Sequence, residues 1–320
     1  MAILTALSGL FLACSNLPFA WARYTLAVVF VAGVIALFVI LKPRWKALLA
    51  FGGLFALILL WLNLIPASND RDWQPSVARL ASADIDGDQV TVHNVRNFRY
   101  RSVSDFDQKW QTRTYDLSKL NQVDLCMSYW GSSQIAPTML NFGFEDGSYL
   151  ALSVGPRPEI DEGYEPIHSA FRAFELIYTF ADERDVLAIR TNFRREDVYM
   201  FPFTLTEEQR RALLLDVLHR ANEITVKPVF YETISDNCTT ALVRHLDDAR
   251  GEPIKCSLDL LFNGYIPRMA YERGDIPTDA PLEVVMQRYA ISAKAKAAGV
   301  GPDFSRQIRE GLGDKAAGEG

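Results

Sequence analysis

The first 65 residues contain no aspartate and no glutamate. The chain as a whole has 320 residues, 39 of them acidic, so that gap marks a boundary rather than a fluctuation. Only Arg23, Lys42, Arg44 and Lys46 carry charge there, which leaves 29 basic against 39 acidic residues in 66–320. An acidic balance with no basic, aromatic-laced patch excludes nonspecific nucleic-acid binding, which depends on neutralising phosphates. Histidine is equally scarce: the four residues, His93, His168, His219 and His245, are scattered, and no pair of cysteines has metal-ligand spacing. A zinc site is therefore not expected, and no cofactor is implied. No internal repeat is present, which excludes a solenoid.

What the start of the chain does have is length without charge. Tyr24 to Leu41 and Ala47 to Ile65 are uncharged runs of eighteen and nineteen residues. As helices each would be about 27–29 Å long, near the hydrocarbon thickness of a bilayer. Between them Lys42-Pro43-Arg44-Trp45-Lys46 forms a basic connection with an interfacial Trp, which the positive-inside rule places in the cytoplasm. Residues after Pro66 then lie outside the cytoplasmic membrane. Residues 2–21 are apolar but lack the basic start of a signal peptide, and read as a third span. The expected organisation is a transmembrane region over 1–66 (spans about 2–21, 24–41 and 47–65), an extracytoplasmic domain over 67–293, and a flexible tail over 294–320.

In an oxidising compartment Cys126, Cys238 and Cys256 are an odd set, so one thiol stays free. Parity allows a Cys126–Cys256 bridge that leaves Cys238 unpaired. Strand signals fall at 89–95, 123–129, 139–144, 149–154, 186–191 and 198–203, with Asp146-Gly147 marking a hairpin turn. Helices are expected over 167–178, from the capping box Thr206-Glu207-Glu208-Gln209 to about Ala221, over 238–250, and over 281–298. Strands first and helices later indicate an α+β domain rather than a doubly wound sheet.

Asn237-Cys238-Thr239-Thr240 is the segment most suited to chemistry. Asp236 or Asn237 can cap a helix whose apolar positions Ala241, Leu242 and Leu246 share a face. A Cys in the first turn meets the positive end of the helix dipole, which favours thiolate, the nucleophilic form. The competing reading is a buried structural Cys. Arg157, Arg190, Arg194 and Arg195 can grip carboxylate or phosphate through bidentate hydrogen bonds. Salt bridges to Asp182, Glu183, Asp185, Glu196 and Asp197 compete with that role. Trp130-Gly131 and Phe142-Gly143-Phe144 either line an acyl-chain groove or pack in the core.

From Asp70 to about Ala290 the chain resembles the Lnb-type N-terminal periplasmic domain family of bacterial envelope proteins. The resemblance is carried by 94–101 (Asn-Val-Arg-Asn-Phe-Arg-Tyr-Arg), 182–185 (Asp-Glu-Arg-Asp), 190–194 (Arg-Thr-Asn-Phe-Arg) and 237–240. It implies a permuted papain-like (NlpC-type) α+β domain preceded by two or three transmembrane helices, in the bacterial inner membrane with the domain in the periplasm. It also implies a thiol acyltransferase acting on a lipoprotein or membrane lipid, with Cys238 as nucleophile. The family expects a His in an Ala-His-Thr segment and a Glu in a Ser-Ile-Glu-x-Arg segment. Here Pro137 and Gly155 stand at those positions, so the general base is missing from its place, and losing one typically costs on the order of 10²–10⁴ in rate. His168 and His93 are the candidate replacements. The alternatives to an active lipid-linked acyltransferase or hydrolase are a catalytically degenerate binding or assembly module and an NlpC-type cell-wall peptidase.

Overall fold

The structure is a computed structural model that describes residues 2–15, 19–131, 133–160, 162, 173–232, 237–251 and 263–312. It divides into two compact units.

The first unit comprises Met1–Asp72, Pro156–Leu176 and Pro228–Thr233. Its helices are α1 (Ala2–Ala13), α2 (Ala20–Ile40) and α3 (Arg44–Leu64). Leu12, Phe30, Val34, Phe51 and Ile58 pack where the helices meet. Yet Val28, Val29, Ile35, Val39, Leu49 and Leu60 point outward and stay exposed. A helix apolar all round belongs in a membrane or a large core, not on a wet surface. At 21 residues each, α2 and α3 are about 31 Å long. The expected first span is instead the 12-residue α1, about 18 Å, which is short of a bilayer. The polar stretch after α3 is tied down within this unit. Ser68 N–H donates to buried Glu175 (3.1 Å), Arg71 pairs with Glu159 (2.9 Å) and Glu175 (3.3 Å), and Ile160 N–H donates to Asp72 O (2.8 Å).

The second unit holds Trp73–Gly155, Ile177–Lys227 and Ile234–Gly320. Its strands are β1 (Ser82–Asp86), β2 (Gln89–Arg96), β3 (Arg99–Tyr100), β4 (Phe106–Asp107), β5 (Trp110–Asp116), β6 (Leu120–Tyr129), β7 (Thr138–Phe144), β8 (Tyr149–Arg157), β9 (Glu175–Ala181) and β10 (Asp197–Pro202), of which the last two residues of β8 and the first two of β9 are counted in the first unit. The main sheet runs β1-β2-β9-β8-β7-β6-β10, with β5 paired to β2. β2 and β9 are parallel, whereas the β1/β2, β2/β5, β6/β7, β7/β8 and β6/β10 pairs are antiparallel. Around it lie α4 (Glu183–Ala188), a π-helical turn (Ile189–Phe193), α5 (Glu207–Val226), α6 (Cys238–Arg250), α7 (Ile266–Glu272), α8 (Leu282–Arg288), α9 (Ser292–Ala298) and α10 (Phe304–Arg309). This is a mixed α+β arrangement.

Every residue of β7 is buried, so both its faces are covered. Alternation sends Thr138 and Leu140 to one side, where with Leu125 they meet Leu213 of α5 and Thr239, Leu242 and Leu246 of α6. Met139 and Asn141 go to the other, where Arg190 Nε approaches Met139 Sδ (3.2 Å) and the Asn141 amide bonds Glu183.

Four sequence expectations change. The run expected to be helix over 167–178 is strand β9 from Glu175 onward, with every residue buried, as a central strand requires; its earlier part lies largely outside the described residues. The strand expected over 186–191 is α4 and the π-helical turn, because Asp182 caps a helix by accepting from Arg184 N–H (3.1 Å). The single helix expected over 281–298 breaks at 289–291. There Met200 N–H donates to Tyr289 O and Ile291 N–H to Val198 O (both 2.9 Å), extending the exposed edge at β10. The expected mobile tail forms α9 and α10 as far as the described residues go, because Arg309 supplies the counter-charge for two buried carboxylates. Cys126 is a free thiol buried on β6, and Cys256, the other member of the allowed bridge, lies outside the described residues.

Candidate functional site

The start of α6 is organised by Asn237. Its Oδ1 accepts from the backbone N–H groups of Thr239 (2.8 Å) and Thr240 (2.9 Å), and Thr240 Oγ1 accepts in return from Asn237 N–H (2.9 Å). This reciprocal cap satisfies donors that a helix start otherwise leaves open. Gly251, in the left-handed region at φ 69°, closes the other end. Of the two candidate caps, Asn237 does the work, and Asp236 lies outside the described residues.

Cys238 is thus the first residue of a capped helix, with a half-buried side chain. Among the described residues its Sγ meets Thr239 Oγ1 (3.8 Å) and Asn263 Nδ2 (3.7 Å). The helix start is fixed to the sheet by Thr239 Oγ1 and Thr138 Oγ1, both buried and 3.0 Å apart. Asn263 is itself held, because its Oδ1 accepts from Ala136 N–H (2.7 Å). Gly264 follows, with its N–H on Gln134 O (3.0 Å) and its carbonyl accepting from Tyr129 OH (2.7 Å). A Cβ on Gly264 would sit 2.1 Å from Ser133 O, so only glycine fits this approach. Trp130, Ile135 and Tyr265, which adjoin these clasped residues in sequence, are exposed. Asn263 and Thr138 carry no local motif, and nothing in the sequence singled them out.

The positions expected to hold the family base and acid are neighbours. Met139 pairs with Ser153, and continuing that register by two residues sets Pro137 opposite Gly155. Pro137 O accepts from Ser128 N–H (3.2 Å), so residue 137 also continues the pairing with β6. Alternation turns it toward the side of Ser128 and Met139, where the Ser128 hydroxyl donates to buried Glu196, rather than toward Thr239. The structure does not bring His93 to Cys238. It lies on β2, three strands from β7, and bonds Asp84 (2.8 Å) and Thr112 (3.3 Å). His168 lies outside the described residues. His245, on α6 itself, is buried between Asp216 Oδ2 (2.6 Å) and Tyr178 OH (2.7 Å).

The arginines separate. Arg157, in the first unit, is buried and donates to Asn69 Oδ1 (3.3 Å); burial lowers its guanidinium to about 10 against the pull of Glu175. Burial likewise lowers Arg190 to about 10, partly opposed by Glu196. Arg194 is largely exposed and reaches Glu196 at 3.8 Å, the salt bridge that competed with a substrate role. Phe142 and Phe144 are buried, and Phe144 stacks on Tyr115 with centroids 4.8 Å apart, so they are core and not groove. Trp130 remains 44 % exposed. The void between Thr138, Thr239 and α6 measures about 30 Å³, enough for one water and not an acyl chain. Among the described residues no group of three or more His, Cys, Asp or Glu is placed to hold a metal ion.

The sequence model of the Lnb N-terminal periplasmic domain family matches residues 106–263, from β4 to the Asn263 that touches Cys238. Residues 106–263 belong to that family. No curated protein and no solved structure matches the chain. The matched span of the Lnb-type domain includes 182–185, 190–194 and 237–240, while 94–101 lies just before it. Helices over Trp21–Ile40 and Arg44–Trp61 are long and apolar enough to cross a membrane. Together they are consistent with a membrane-anchored envelope protein that carries a periplasmic domain.

The thiols of this protein should differ sharply in reactivity. Burial, with Asp124 and Glu183 nearby, raises the Cys126 thiol well above its ordinary range, whereas Cys238 is only half-buried at a helix start. Iodoacetamide applied to the folded chain should label Cys238 at least tenfold faster than Cys126, and the difference should vanish in denaturant. Peptide mass spectrometry of timed samples checks this.

Proposed function

We propose that this is a thiol-dependent acyltransferase or hydrolase acting on a lipid-linked substrate at the periplasmic face of the inner membrane. The observation that carries the reading is Cys238 itself, a half-buried thiol at the first position of a doubly capped helix. In the proposed reaction the thiolate attacks an ester carbonyl carbon, forming a C–S bond as the C–O bond breaks. The leaving alkoxide takes up a proton. An amine or water then attacks the thioester and returns the thiolate. The Cys238 N–H, which the Asn237 cap does not use, suits the negative oxygen of each tetrahedral intermediate, the N–H groups of Thr239 and Thr240 being taken by Asn237 Oδ1. The exposed apolar side chains Trp130, Ile135 and Tyr265 suit contact with an acyl chain, and apolar helices of bilayer length would hold the domain where such substrates diffuse. Strand β7 precedes the Cys238 helix in the chain, the order of a permuted papain-like domain.

A second reading, a binding or assembly module that has lost catalysis, is favoured by the surroundings of Sγ. Its hydrogen-bonding contacts among the described residues are a threonine hydroxyl and an amide, neither of which accepts a proton as an imidazole does. A diacylated lipopeptide assay on the full chain in detergent separates the two readings. Slow deacylation or N-acylation that Cys238→Ala abolishes supports the enzyme. Lipopeptide binding of equal strength in both forms, with no turnover in either, overturns it in favour of the module.

A further inference from the structure

The amide of Asn263 has a determined orientation. Its Oδ1 accepts from the Ala136 N–H at 2.7 Å, and a backbone N–H cannot accept in return. The opposite end of the same amide, Nδ2, is therefore a donor, and it points at Cys238 Sγ from 3.7 Å. A donor aimed at sulfur interacts more strongly with a thiolate than with a thiol, since charge-assisted hydrogen bonds are about twice as strong as neutral ones. The carboxamide is fixed from both sides. Ala136 belongs to the connection between β6 and β7, and Gly264 next door is locked against Ser133, Gln134 and Tyr129.

We propose that Asn263 is a catalytic residue of this site, the side-chain donor that faces Cys238 Sγ and favours the negative charge the sulfur carries when it attacks. This rests on the thiol reading above and deepens it. It also ties the reactivity of Cys238 to the 130–136 connection, because the atom that fixes Asn263 is the Ala136 N–H. A substrate that shifts the connection bearing Trp130 and Ile135 would change how firmly the amide faces the sulfur.

The test compares the full chain in detergent with Asn263→Asp and Asn263→Ala. The Asp variant is nearly isosteric and keeps an oxygen for the Ala136 N–H, but it presents a negative acceptor to Sγ in place of a donor. Iodoacetamide labelling of Cys238 at neutral pH is expected to slow about tenfold in Asn263→Asp and several-fold in Asn263→Ala. The gap should close as the pH is raised and the thiol ionises in all three forms. A purely structural role would leave the Asp variant labelling at the wild-type rate, or would slow or speed both variants equally at every pH. Either result overturns the proposal. Thermal melting of each variant guards against misfolding, and a variant that does not melt like the wild type is replaced by Asn263→Ser, which keeps a small donor and should label at an intermediate rate. The labelling needs no turnover, so it tests the contact with sulfur separately: a lipopeptide assay that fails on wild type would remove the catalytic role of Asn263 and leave the donor contact standing.

Discussion

Replacing Asp185 by Ala should destabilise the periplasmic unit by about 3–5 kcal/mol, a large share of the roughly 5–15 kcal/mol that holds a typical domain together. The Asp185 side chain is fully buried. Its Oδ1 accepts from Arg96 Nε (3.0 Å) and Nη2 (2.8 Å) and from Tyr100 OH (3.3 Å), and its Oδ2 accepts from Phe98 N–H (2.6 Å). Four donors are left without their acceptor, and the Arg96 guanidinium is left as a buried charge. Asp185→Asn should lose less, since an amide keeps one acceptor while placing a donor against the arginine. Thermal and urea unfolding of the full chain in detergent checks both. A loss below 1 kcal/mol for Asp185→Ala would show that water or a neighbouring carboxylate replaces it.

The second large effect is expected at Arg309, on the last described helix. Its guanidinium bonds Glu183 Oε1 (2.6 Å) and Asp124 Oδ2 (2.8 Å) and lies 3.6 Å from the centre of the Tyr149 ring. Both carboxylates are buried. Burial raises the Asp124 carboxyl above its ordinary range, and Arg309 pulls it back. Arg309→Met keeps the bulk but removes that pull, so the variant should lose about 3–5 kcal/mol at neutral pH. The sign of its pH dependence follows from linkage. A carboxyl raised in the folded state carries no penalty below its unfolded value; the penalty grows as pH rises above that value and is complete once pH exceeds the folded one. The deficit of Arg309→Met should therefore be largest at neutral pH and shrink as pH falls toward about 4, where a protonated carboxyl needs no counter-charge. Unfolding curves at several pH values check this, and a deficit that does not shrink in acid would mean the carboxylates are solvated in the variant.

Both hubs bear on how the resemblance was visible. The stretches 94–101 and 182–185 are legible as motifs, but their residues serve each other: Arg96, Phe98 and Tyr100 converge on Asp185, and Arg184 reaches Asn97 Oδ1 (2.5 Å). They hold the end of β2 and α4 together, and no contact among the described residues joins them to Cys238.

What the sequence determined by itself is local. Uncharged runs of bilayer length set the helical start, because charge in hydrocarbon is prohibitive and its absence over eighteen residues is conspicuous. Thr206…Gln209 and Asn237…Thr240 set two helix starts, because a cap is completed within four residues. The hairpin at Asp146-Gly147 joined the expected strands, because a two-residue period and a turn are also short-range. Tertiary structure decided the rest. Glu175–Ala181 is a strand because the sheet has a central place for a fully buried, mostly apolar segment, a demand its own residues do not distinguish from a buried helix. Residues 294–312 are held to the sheet by one arginine, Arg309, which answers two carboxylates 126 and 185 residues away. Asn263 reaches Cys238 across 25 residues through an amide fixed by Ala136, a contact no spacing rule encodes. Short-range hydrogen bonding is written into neighbouring residues, whereas the partner of a buried charge or a reactive sulfur is chosen only when the chain has folded back on itself.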